Sequence, residues 1–69
     1  MNTGEMEALV RSVIVHHGLP FIPVSVVQTA EGWNIVVRAE TGGNLAFAIP
    51  ASRPTAMRIA VHERLEAAR

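Results

Sequence analysis

Three histidines, His16, His17 and His62, are the residues best suited to acid–base chemistry or metal ligation. His16 and His17 are neighbours, and adjacent helical residues point about 100° apart, so they do not converge on one ion. His62 could join one of them, but the chain has no Cys and no Asp to complete a zinc shell. Imidazoles at a helix end, where the dipole favours them, are the simpler reading. No metal and no cofactor is expected.

Nucleophiles fare no better. Ser12 and Ser25 fall inside regular elements with no base beside them, and Ser52 reads as a helix N-cap. Nothing has the spacing of a nucleophile elbow. Absence of Lys removes Schiff-base chemistry, and Gly42-Gly43 joins two strands instead of opening a helix, so it is no phosphate loop. No catalytic residue is assigned.

The remaining chemistry belongs to arginine. All six basic residues are Arg and all six acids are Glu. Residues 1–50 carry net −2 and residues 51–69 net +2, so the whole is neutral. Arg53, Thr55 and Arg58 fall at the start of a helix, where free N–H groups already attract anions. They are candidates for gripping a phosphate of a nucleic acid or a partner's carboxylate. The pI of 6.8 lies well below the value of about 9 usual for dedicated nucleic-acid binders, so charge does not favour nucleic acid.

The elements that position these residues are readable from punctuation and period. Asn2 and Glu5 have capping-box spacing, and Met6, Leu9, Val10, Val13 and Ile14 form one apolar stripe. Gly18-Leu19-Pro20 stops that helix, expected over about residues 3–17. Strands follow at about 21–30, 33–41 and 44–49. Pro23 marks the first as an edge strand. A two-residue turn, Glu31-Gly32, pairs Ala30 with Trp33 and sets Ile22, Val24 and Val26 on the apolar face. A three-residue loop, Thr41-Gly42-Gly43, brings Leu45, Phe47 and Ile49 to the side of Trp33, Ile35 and Val37. Ser52 is read as the N-cap of a second helix, about 53–68, with Ala56, Met57, Ala60, Val61, Leu65, Ala67 and Ala68 as its apolar half.

The fold class is therefore α+β, in the order α-β-β-β-α. One domain, residues 1–69, places both helices on one face of a three-stranded antiparallel meander. Trp33, Ile35, Val37, Phe47, Leu9, Val13, Val61 and Leu65 should centre the core. The outer sheet face presents Val27, Val36, Ala46 and Ala48, framed by Ser25, Thr29, Asn34, Arg38 and Glu40. Small apolar groups on a face that should be wet suggest contact with another surface. Val27, Val36, Arg38, Ala46 and Ala48, with Ile59 on the second helix, are the candidate interface.

This element order resembles double-stranded RNA-binding domains and HicA-type mRNA interferase toxins over nearly the whole chain. The first family has a longer first hairpin loop with Gly-Pro-x-His, and Lys-Lys-x-Ala-Lys at the last helix; here stand Glu31-Gly32 and Arg53-Pro54-Thr55-Ala56-Met57-Arg58. The toxins have Gly-Ser-His entering the second strand; here it is Gly32-Trp33-Asn34. The resemblance implies a fold, and no functional residue carries over.

Composition bounds the rest. A chain of 69 residues buries only about 60% of its unfolded surface, so stability is thin. With 49% hydrophobic and 17% charged residues, the apolar share is high for so small a globule. That favours a homo-oligomer or a protein partner. No stretch is long and apolar enough for a membrane, no leader pattern opens the chain, and a cytoplasmic location is expected. The expectation is a small contact module rather than an enzyme, with nucleic-acid binding, or a degenerate toxin-like domain acting with a partner, as the alternatives.

Overall fold

The computed structural model describes residues 1–69. Helix α1 spans Thr3–His17 and is closed at both ends by the residues its sequence supplies. Asn2 Oδ1 accepts the Glu5 N–H at 2.8 Å, and Glu5 Oε1 accepts the Asn2 N–H at 2.9 Å, a reciprocal capping box. Gly18 takes φ 60, and the Leu19 N–H turns back to the Ile14 carbonyl at 3.0 Å. Only glycine reaches that conformation without a Cβ penalty.

Three strands follow: β1 Phe21–Gln28, β2 Gly32–Ala39 and β3 Asn44–Pro50. They form one antiparallel sheet with β2 in the middle. Helix α2, Pro54–Ala67, completes the α-β-β-β-α order. Both helices lie on one face: α1 packs against β1, α2 against β3, and the two against each other. No helix is long and apolar enough to cross a membrane.

The first hairpin is paired differently from the sequence reading. Gln28, not Ala30, faces Trp33. Thr29 is the cause: its Oγ1 accepts the Gly32 N–H at 3.1 Å and its own N–H donates to the Gly32 carbonyl at 2.8 Å, so the turn runs from Thr29 to Gly32. A shift of two residues preserves the faces, and Val26 stays inward. Beyond it, a β-bulge between Pro23 and Ser25 inserts Val24 as the extra residue and reverses them. Phe21 now faces Ala39 and is buried, while Ile22 and Val24 are 44% and 55% exposed. Pro23, opposite Val37 and next to the bulge, turns its missing N–H to the free edge, so the ladder to β2 loses no bond there. The exchange also buries the larger apolar side chain.

The second hairpin keeps its expected face. Trp33 pairs with Ile49, Ile35 with Phe47 and Val37 with Leu45. Its loop is Glu40-Thr41-Gly42, one residue earlier than expected. The Ala39 N–H donates to the Gly43 carbonyl at 3.0 Å, and the Gly42 N–H to the Ala39 carbonyl at 2.9 Å. Helix α2 starts on Arg53, not Ser52, and no side chain caps it. Pro54 at the first helical position has no N–H to satisfy, which lowers the need for a cap. Of the broad apolar half expected for α2, only Met57, Val61 and Leu65 are buried and Ala60 partly so; Ala56, Ala67 and Ala68 face solvent.

Sixteen hydrophobic residues form one core, including all eight expected at its centre, and no polar or charged residue is buried with them. The folded chain exposes 4290 Å², against about 4,200 Å² expected for a self-standing monomer of 7.4 kDa. The core is thus closed within one chain. Any further association must draw on the surface.

Candidate interaction surface

Alternation along β2 defines the outer face. With Trp33, Ile35 and Val37 turned inward, Asn34, Val36 and Arg38 point outward. The pairing then assigns their neighbours. On the β1 side Val27 lies beside Asn34, Ser25 beside Val36 and Ile22 beside Arg38. On the β3 side Ala48 lies beside Asn34, Ala46 beside Val36 and Asn44 beside Arg38. Five of the candidate interface residues (Val27, Val36, Arg38, Ala46 and Ala48) therefore share one uncovered face.

Ile22 joins them, because the bulge turned it out. The sequence reading placed it in the core; Pro23 was the only signal of irregularity there. Ile59 does not join them. It is 54% exposed on α2, in the other layer, and is a separate surface residue.

Among the strand residues of the face Arg38 is the one charge; Glu40 follows in the turn beyond it, and Glu31 lines a hollow with Asn34 and Ala48 at the other end. Arg38 makes no ion pair or side-chain hydrogen bond within the chain; the ion pairs are Glu7–Arg11, His62–Glu66 and Arg69–Glu66. Its guanidinium keeps all its donors for water or a partner.

The start of α2 is less open than the sequence implied. The Arg58 guanidinium donates to Ser12 Oγ on α1 at 3.0 Å and so ties the helices together. Thr55 and Arg58 line a groove with Ser12 and Pro54, and Glu5 lines it too, so the groove holds an acid as well as a base. Arg53 does not line that groove. Of the three residues proposed for anion binding, Thr55 and Arg58 share the groove.

His62 does join one of the other histidines, through a ring stack. The His17 and His62 rings stack in parallel, 3.7 Å between centroids and 8° between planes, with His16 edge-on to His17 at 4.8 Å. Stacked rings point their nitrogens around the stack and not toward a common centre. No group of three or more His, Cys, Asp or Glu is arranged to hold a metal ion.

The stack does have a consequence for pH. Partial loss of water and then the charges of His62 and His16 hold the His17 pKa below its ordinary value; Glu66 opposes this and Arg58 adds to it. In the unfolded chain His17 titrates near its usual value of about 6.5. Between the two values the unfolded chain binds more protons, so stability rises with pH and falls on acidification. The thermal midpoint should therefore drop as pH is lowered from about 7.5 through about 6. His17→Gln should flatten the slope over that range. An unchanged slope in the variant would show that other groups set it.

Compared with protein-family models, with characterised proteins and with solved structures, the chain matches none of them.

Proposed function

We propose that this chain is a small, non-catalytic contact module that self-associates, with the open sheet face as its working surface. The observation that supports this is the composition of that face. Ile22, Val27, Val36, Ala46 and Ala48 occupy it with a single charged strand residue, Arg38, and with Glu31 and Glu40 only at its margins. Depletion of charge around small apolar and β-branched groups characterises the centre of protein interfaces. Solvated sheet faces are normally polar. The chain's zero net charge adds no long-range repulsion between two copies.

Nucleic-acid binding draws less support. Arg58 is engaged with Ser12, and the groove it lines also holds the acid Glu5. The test of self-association is sedimentation equilibrium from low to high micromolar concentration. The expected result is a rise in mass from 7.4 kDa toward twice that value. A single mass of one chain across the whole range would overturn the proposal.

A further inference from the structure

The two edges of the sheet are not alike. In β2, the residues bonded to β3 are Ala39, whose N–H donates to Gly43, and by alternation Val37, Ile35 and Trp33. Their partners Leu45, Phe47 and Ile49 use their backbone groups inward. The N–H and C=O groups of Asn44, Ala46 and Ala48 therefore point away from the sheet.

No other element covers them. Strand β3 touches only β2 and α2, and α2 lies over its face. The other edge, β1, is blunted. Pro23 lacks a donor and the bulge at Val24 breaks the regular row. Between Asn44 and Pro50 no residue is charged, and the two outward alanines add no bulk. Charged residues, Pro or a bulge within the strand are the usual protections of an edge. The first and last are absent from β3, and its Pro50 stands at the very end.

We infer that β3 is the contact by which a second copy of this chain is held, pairing antiparallel with β3 of that copy about a two-fold axis at Ala46. This rests on the reading that the chain self-associates; it assigns the contact between copies to the edge and leaves the open face as the working surface that the pair presents. In that register Ala46 meets Ala46, Asn44 meets Ala48, and every outward N–H and C=O of those residues finds a partner. Pro50 falls outside the paired stretch, so its missing donor costs nothing. Leu45, only half buried in one chain, lies opposite Phe47 of the other copy and is covered. The contact is isologous and closes on itself, and the blunted β1 edge prevents further addition. The two open faces become one continuous face, with the Val36, Ala46 and Ala48 groups of both copies side by side.

The test compares two variants with the parent by sedimentation equilibrium. Ala46→Pro removes one outward donor and no bond within the sheet. Val36→Arg alters the open face and leaves the edge intact. The expected result is a dimeric parent, a folded and monomeric Ala46→Pro, and a dimeric Val36→Arg. If the parent is dimeric and folded Ala46→Pro is also dimeric, the edge contact is wrong while self-association stands. Loss of the dimer only in Val36→Arg would assign the contact to the open face and also overturn the edge. A monomeric parent removes both. Should circular dichroism show Ala46→Pro unfolded, synthetic chain with N-methylalanine at position 48 deletes the neighbouring donor and is read in the same way.

Discussion

Gly32→Ala is expected to cost about 3 kcal/mol or more, which leaves the chain largely unfolded or barely stable. The reason is contact, not backbone freedom. Gly32 is buried and lies at the start of β2 with an ordinary φ; the positive-φ glycines are Gly18, Gly42 and Gly43. A Cβ at position 32 would collide with the Ile49 carbonyl oxygen and lie 2.7 Å from the Ala51 nitrogen and 2.8 Å from the Pro50 Cα. All three are backbone atoms of the chain leaving β3, and none can rotate aside. Relief requires prying that segment from β2, which strains the Ala51 N–H bond to Glu31 and the Trp33–Ile49 pairing. A domain of this length has roughly 3–10 kcal/mol in total. Urea titration followed by Trp33 fluorescence reads the effect. Gly18→Ala is the control: open space surrounds that position, so only the left-handed penalty of about 1–2 kcal/mol applies. Equal midpoints for the two variants would sink the argument.

Ile35→Ala should cost about 3–4 kcal/mol, in the middle of the range for such truncations. Ile35 is fully buried at the middle of the central strand, between Val26 and Phe47. Its neighbours are fixed by ladder bonds on both sides, so the cavity collapses poorly. No polar group is buried in the core that could draw in water to fill it. Val36→Ala, one residue along, removes methyl groups from the outer face and should cost less than about 1 kcal/mol in a monomeric sample. The contrast within one strand isolates burial from strand propensity. A loss below about 1 kcal/mol for Ile35→Ala would mean that the core is not packed there as described.

What the sequence made legible was local. The Asn2–Glu5 box, the Gly18 stop and the Gly42-Gly43 corner each announce themselves within a few residues, and element order and core followed from them. Pairing was less legible, because Thr29 closes the turn with a side-chain oxygen and a bulge absorbs Val24. Neither alters periodicity enough to be seen. Gly32 was read as a turn glycine, whereas its requirement comes from a strand it meets in space. The contact that engages Arg58 was hidden for the same reason. Ser12 and Arg58 are 46 residues apart, and no pattern within either helix marks them as partners. The open face was mostly legible because alternation alone assigns it; Ile22 was missed because the bulge breaks alternation.

The helix contacts carry one more consequence. Glu5 shares a groove with Thr55, Ser12 bonds Arg58 and His17 stacks on His62, so α1 and α2 run in the same direction. Each helix presents about half a positive charge at its start and half a negative charge at its end. Parallel helices add these, and a chain with zero net charge is still an electric dipole. A two-fold axis normal to the sheet reverses every in-plane vector. Two copies joined along β3 would set their dipoles in opposition, and the field that one chain casts into solvent would be largely cancelled by the other.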